Sequence, residues 1–249
     1  MKKNRPTITA HCLVKNEEVY VKAAIMSVID YIDRIIIFDA GSTDNTIHIL
    51  KKISQNKKYK DKIHFEIKGD ADKGRHTKLR NEMIALTKTD WFMVLDGDEV
   101  WPKDQIKFLV ENDLQATEKI ARDIIICNYH LCSLDLNHYT EKGHYGTPWG
   151  VHGQLTARFF KLVKGINWGG EYLSDALYYK NNTKAITQKN VFYSTAYFWH
   201  LSKLYRSPKS NLRLDGVKKS YQKFLPKVLT KYFVKKNYLN LPETLDDYI

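Results

Sequence analysis

The chain has 249 residues, 43% of them apolar and 12% aromatic, with a formal charge of +12 from 40 basic against 28 acidic residues. That length builds one α/β domain with a sizeable core and at most a small appendage, and no stretch approaches the roughly 18 to 20 uncharged apolar residues of a membrane span. The N-terminal MKKNRPTITAHCLV lacks an apolar run of signal-peptide length, so a cytoplasmic protein is expected, and Cys12, Cys127 and Cys132 are too scattered for a disulfide framework or a zinc site and read as buried free thiols.

From the N-terminus, β-branched runs alternate with helical periodicity. TITAHCLV (7 to 14) predicts a first strand, followed by KNEE (15 to 18) and a helix over 17 to 31 that sets Val21, Ala24, Ile25 and Val28 on one face. RIIIFD (34 to 39) predicts the second strand, DAGSTDNT (39 to 46) a polar loop, and 43 to 54 the next helix. KIHFEIK (62 to 68) leads through GDADKGRH (69 to 76) into a helix over 75 to 87, and WFMVLD (91 to 96) ends in DGDE (96 to 99). RDIIICN (122 to 128) and VFYSTAYFWHL (191 to 201) predict further strands. Such alternation argues for a mostly parallel sheet flanked by helices, whose ligands gather at the carboxyl ends of the strands. Any one of these polar clusters is equally a helix cap or a turn; four at consecutive strand ends point to a site.

Between about 129 and 185 the pattern loosens into aromatic and glycine-rich sequence, suited to acceptor-binding loops. The tail from 203 to 236 carries most of the net charge, with Asp215 its one acid. Tyr221, Phe224, Leu225, Val228, Leu229, Tyr232 and Phe233 form a helical stripe there, broken at Pro226. The stripe either packs on the domain or lies on an anionic membrane surface.

Asp96, Asp98 and Glu99 crowd together at the end of the most hydrophobic strand. Carboxylates so close raise each other's pKa unless something positive compensates. Mg²⁺ or Mn²⁺ prefers hard oxygen ligands of this kind, and Gly97 is expected to permit the turn that aims Asp96 and Asp98 at one point.

Read together, LVKNEEVYVKAAIMSVIDYIDRIIIFDAGSTDNT and GRHTKLRNEMIALTKTDWFMVLDGDE resemble the family 2 glycosyltransferases of the GT-A fold, continuously over about residues 7 to 101 and in fragments beyond. The resemblance implies a GT-A catalytic domain over 1 to 202, and the charge and periodicity of the tail predict a basic, amphipathic helical extension over 203 to 249. It implies that Asn16 and Glu17, in the Asn-Glu-Glu motif, and Asp39 line the nucleotide, with Glu17 and Asp39 meeting its ribose and base. Arg75 and Arg80 then approach the base or phosphates, Asp96 meets the ribose or the metal, and Asp98 and His200 complete the metal site. RFFK (158 to 161), INWGG (166 to 170) and Glu171 match the segment that follows the metal motif, with Gly170 where histidine is common. Glu171 is the implied catalytic base and Asp175 its substitute.

The expected activity is inverting transfer of a sugar from a nucleotide-sugar donor, UDP-linked in preference to GDP-linked, to a hydroxyl of a glycan or lipid-linked acceptor, with Mn²⁺ or Mg²⁺. Cell-surface polysaccharide or lipopolysaccharide synthesis, peripheral on the inner face of the membrane, is the setting this suggests. An inactive GT-A scaffold is the alternative. A nucleotidyltransferase would carry a glycine-rich phosphate loop where this chain has KNEE. A nucleic-acid module is suggested by charge alone and is not expected, because the charge sits in the tail while the strand ends are acidic.

Overall fold

In the computed structural model of the chain, residues 5–69, 73–133, 139–140, 151, 153–170, 176–204 and 207 are described. Strands β1 (Ile8–Val14), β2 (Arg34–Asp39), β3 (Ile63–Ile67) and β4 (Trp91–Val94) alternate with helices α1 (Val21–Val28), α2 (Thr46–Ser54) and α3 (Lys73–Leu86). After β5 (Glu99–Val100) come α4 (Lys103–Phe108), a π-helical turn (Leu109–Asp113) and α5 (Leu114–Lys119), which the sequence reading did not include. β6 (Ile124–Ser133), β7 (Tyr139–Thr140), β8 (Leu155–Lys161), β9 (Asn167–Gly169), β10 (Ala176–Tyr178) and β11 (Val191–Lys203) follow.

The main sheet runs β3-β2-β1-β4-β8-β6-β11-β5, with β7 paired to β6, while β9 and β10 form a separate ribbon. It is parallel from β3 to β4 and again between β6 and β11, but β8 lies antiparallel to both β4 and β6. The expectation of a mostly parallel sheet therefore holds for its first half and gives way to a mixed second half. β8 can reverse because it is reached by a long excursion and not by a βαβ crossover, which would impose parallel pairing.

β1 and β2 are covered on both faces: β2 is accordingly apolar from Ile35 to Phe38, whereas β1 carries buried Thr9 and His11 on one face. Ile8, Ala10 and Cys12 pack with Ile35 and Ile37 against Val21, Ile25 and Val28 of α1 and, further along, against Ile106, Leu109 and Leu114. On the other face Ile36 and Phe38 meet Leu79 and Met83 of α3, and Phe92, Val94 and Phe160 meet Leu177 of the small ribbon. Burying side chains of this size contributes roughly 1.5 to 3 kcal/mol each. Cys12, Cys127 and Cys132 are buried and free. His11 is also buried: its ring stacks on Phe92 at 4.8 Å, and Nε2 lies 2.6 Å from Thr87 Oγ1. Burial, reinforced by Arg80, lowers its pKa to about 3.

The helix expected from 17 begins only at Val21, since Asn16 takes a φ of +56° and the following turn starts the helix late. Glu171, Asp175 and the basic stripe of the tail lie outside the described residues. Among the described residues no helix is long and apolar enough to cross a membrane.

Candidate active site

The loops after β1 and β2 are fastened into one unit. The Asn16 N–H donates to Ser42 Oγ at 2.9 Å, and its side-chain Oδ1 accepts from the Thr43 N–H at 2.8 Å. One residue on, the Glu17 N–H donates to Thr46 Oγ1 at 2.8 Å, and the Glu18 carboxylate accepts from the Asn45 N–H at 2.7 Å. Asn tolerates the left-handed φ at position 16 better than most residues. Asp39, closing β2, is fully buried; Oδ1 accepts from the N–H groups of Gly41 and Ser42 at 3.0 and 2.9 Å, while Oδ2 has no hydrogen-bond partner. A buried polar atom left bare costs roughly 1 to 3 kcal/mol. An N–H or O–H brought by a ligand would recover that.

At the end of β4 the crowded acids meet a resident cation. Arg158, on β8, donates from Nε to both Glu99 oxygens at 3.0 Å, and from Nη2 to Glu99 Oε1 and, at 3.2 Å, to Asp96. Arg80 Nη2 lies 3.7 Å from Asp96 Oδ1. Burial pushes Asp96 upward, but Arg158 and Arg80 outweigh it and hold the carboxyl below its ordinary value. For Glu99 burial dominates over Arg158 and raises the pKa to about 8. So the positive charge that the sequence demanded is supplied in the first place by an arginine 62 residues from Asp96.

Asp98 has different company. It is buried, with Oδ1 3.8 Å from His200 Nε2, and the Leu201 N–H donates to its carbonyl at 2.9 Å. Antiparallel pairing of β5 with β11, Glu99 opposite His200, brings the two together across a hundred residues of chain. Among the described residues no three His, Cys, Asp or Glu side chains surround one point. Carboxylate and imidazole are nonetheless donors that Mn²⁺ accepts, with Asp96 the next oxygen donor along the chain, so this pair fits a metal site in its chemistry.

Gly97 corrects one expectation. Its φ is not positive, so no turn requires glycine there. A Cβ would instead stand 2.8 Å from Glu17 Cγ and 2.9 Å from Val14 Cγ1. Glycine is needed at 97 for space: it lets the acid loop lie against Glu17.

Helix α3 carries Arg75, exposed on its first turn, then Thr77, Arg80 and Asn81 toward the segment after β8. The Asn81 amide brackets Trp168, donating from Nδ2 to its carbonyl at 2.8 Å and accepting its N–H on Oδ1 at 2.7 Å. Thr77 Oγ1 donates to the Gly170 carbonyl at 3.0 Å, and the Arg80 guanidinium lies 5.1 Å from the Trp168 ring centroid. Gly170 has φ +92°, a conformation that disfavours any side chain, so glycine in place of the family's common histidine meets a backbone requirement.

Comparison with known proteins decides what this arrangement belongs to. The model of glycosyl transferase family 2 matches residues 12–205. The chain belongs to that family. Its sheet, with the acid motif after β4, is accordingly a GT-A domain. Glycosyltransferase SunS of Bacillus phage SPbeta is 26% identical over 181 residues, 73% of this chain and 37% of that protein, and the SPbeta prophage-derived SunS of Bacillus subtilis strain 168 matches equally. The chain thus spans little more than a third of the length of these curated relatives. Among solved structures, S. aureus TarS 1-349 superposes with a TM-score of 0.49 at 15% identity, covering 79% of this chain and 60% of that one. Mannosyltransferase PcManGT from Pyrobaculum calidifontis, in complex with GDP-Man and Mn²⁺, gives 0.41 at 14% identity over 64% and 45%.

For this family 2 chain, Asn16, Glu17, Asp39, Arg80, Asp96, Asp98 and His200 all stand at the carboxyl end of the sheet or on the elements facing it. Sequence reasoning missed the partner of the acids and the bracket on Trp168. RFFK and the Arg-Asn pair were visible as motifs, but nothing in either motif names a partner 60 to 90 residues away.

Proposed function

We propose that the chain is an inverting, metal-dependent glycosyltransferase that uses a nucleotide-diphosphate sugar, UDP-linked in preference to GDP-linked. The observation that carries this is the bare, buried Oδ2 of Asp39, at the end of β2 next to β1, whose following loop is clamped at Asn16 and Glu17. Uracil N3–H is a donor of the kind that oxygen lacks, and Glu17 and Asp96 flank the space a ribose would take. Arg75 and Arg80 face the phosphates.

Asp98 and His200, with Asp96 nearby, would hold Mn²⁺ or Mg²⁺. Such an ion neutralises the diphosphate and stabilises it as a leaving group. The acceptor hydroxyl attacks the anomeric carbon, its proton passes to Glu171 or else to Asp175, and the bond from that carbon to the diphosphate oxygen breaks with its electron pair going to the nucleotide. Glu99 does not compete for the role of base, because it is fully buried and bonded to Arg158. A glycan or lipid-linked acceptor, in cell-surface polysaccharide or lipopolysaccharide synthesis, fits a domain whose basic residues 203 to 236 can rest on an anionic membrane.

Isothermal titration with a panel of nucleoside diphosphates, with and without Mn²⁺ and repeated on Asp98→Ala, tests the reading. Mn²⁺-dependent binding of one nucleotide that vanishes in the variant is expected. A folded protein that binds none of them refutes it.

A further inference from the structure

Three side chains within about one turn of α3 reach in two directions. Thr77 and Asn81 hold the main chain of 168–170, and Arg80, between them in sequence, stacks on Trp168 while its Nη2 faces Asp96. The Asn81 bracket is reciprocal: one amide satisfies both the N–H and the carbonyl of a single residue, which fixes that residue's position and rotation together. Trp168 belongs to β9, at an edge of the two-stranded ribbon, where its outward-facing backbone groups would otherwise go to solvent. The two residues that follow leave little slack. A Cβ at Gly169 would stand 3.1 Å from the Tyr178 ring, and Gly170 is held at positive φ. A rigid run of backbone is therefore tied, through one helix face, to the acid that closes the nucleotide side of the site.

We propose that Asn81 and Thr77 are positioning residues for sugar transfer: they set the backbone of 168–170 at a fixed distance from Asp96, and contribute nothing to holding the nucleotide. This rests on the glycosyltransferase reading above. Misplacement of reacting partners by an ångström is enough to slow transfer about a hundredfold, whereas Asn81 and Thr77 reach the phosphate-facing Arg80 only through Trp168, so nucleotide affinity should change far less.

The test uses the full chain and its Asn81→Ala, Thr77→Val and Thr77→Ser variants. Amide hydrogen exchange reads the bracket directly, and UDP and GDP titrations with Mn²⁺ read the nucleotide site. Nucleotide release from UDP-N-acetylglucosamine, UDP-glucose and GDP-mannose, with water as the acceptor, reads turnover. Asn81→Ala is expected to lose protection at Trp168 while β1 and β4 keep theirs, to bind nucleotide within about twofold of wild type, and to turn over at least about tenfold more slowly. Thr77→Val should slow turnover and Thr77→Ser, which retains the hydroxyl, should restore it. Unchanged exchange at Trp168, or nucleotide affinity falling in step with turnover, overturns the positioning role alone. A wild-type protein that binds no nucleotide overturns the glycosyltransferase reading and this proposal with it.

Discussion

On one side of β4 the site is held by neighbours close in sequence: Asn16 reaches Thr43 and Glu18 reaches Asn45, each 27 residues along. On the other side the clamps cross the molecule. Arg158 reaches back 62 residues to Asp96, Asn81 forward 87 to Trp168 and Thr77 forward 93 to Gly170. The first set joins loops of adjacent parallel strands, where one βαβ unit places both partners. The second joins segments that meet only after β8 has inserted between β4 and β6. Local clamps preform the loops proposed to cradle the nucleotide, and long-range clamps decide how the second half of the domain faces them.

The sharpest way to break that distinction is Arg158→Ala, which leaves Glu99 fully buried without its guanidinium. With its pKa already raised to about 8, Glu99 takes up a proton at neutral pH once Arg158 is gone, but its lost hydrogen bonds still cost about 1 to 3 kcal/mol, so urea denaturation should show a clear loss of stability, most of it recovered by the isosteric pair Arg158→Met with Glu99→Gln. Asp98→Ala comes next and should act on function with little change in stability: a fall of about a hundredfold in Mn²⁺-supported transfer, measured as nucleotide release. Gly97→Ala probes the seam between acid loop and nucleotide cradle. The new methyl overlaps Glu17 and Val14 at 2.8 and 2.9 Å, and overpacking of this kind costs about 1 to 3 kcal/mol; the variant should lose both melting temperature and nucleotide affinity.

Asp39→Asn tests the cradle by itself. Exchanging a bare acceptor for an amide should weaken uridine nucleotide binding roughly tenfold by titration, about 1.4 kcal/mol, while leaving the fold intact. The smallest effect comes from mild acid. His11 has its pKa lowered by burial to about 3, against 6.5 when unfolded, so it stays neutral in the native state while the unfolded chain takes up a proton. Its contribution is complete above pH 6.5 and declines as pH falls toward 3, by about 1.4 kcal/mol at pH 5.5. Stability measured at pH 7 and 5.5 should differ by about 1.2 kcal/mol more in the wild type than in His11→Gln, since a little of the loss is already present at pH 7.

Much of the first region was legible. β1, β2, β3 and β4 fall within the runs predicted for them because their β-branched and aromatic residues mark extended chain even where, as in half-exposed β3, polar His64 and Glu66 alternate with apolar residues, and α2 and α3 follow from periodicity. The start of α1 was misplaced because left-handed Asn16 does not disturb the hydrophobic pattern. β8 went unnoticed inside an aromatic, glycine-rich stretch, since LTARFFK is too short and too mixed to separate from its surroundings. α4, the π turn and α5 escaped although Pro102 and Asp104 mark a start, because two six-residue helices joined through a π turn do not keep one 3.6-residue period.

The residue types at the strand ends were determined by the sequence alone: acids, Asn, Ser and Thr stand where a polar ligand must be met, and alternation of strand and helix forces their loops to one edge of the sheet. Partnership was decided by tertiary structure. Asp96 and Glu99 share Arg158 and Gly97 serves space and not turn geometry, while the Asp98–His200 pair that the family resemblance implied is brought within reach, because these outcomes depend on the order and direction in which β8, β11 and β5 join the sheet. Strand order is a property of the whole packed chain, and no local pattern encodes it.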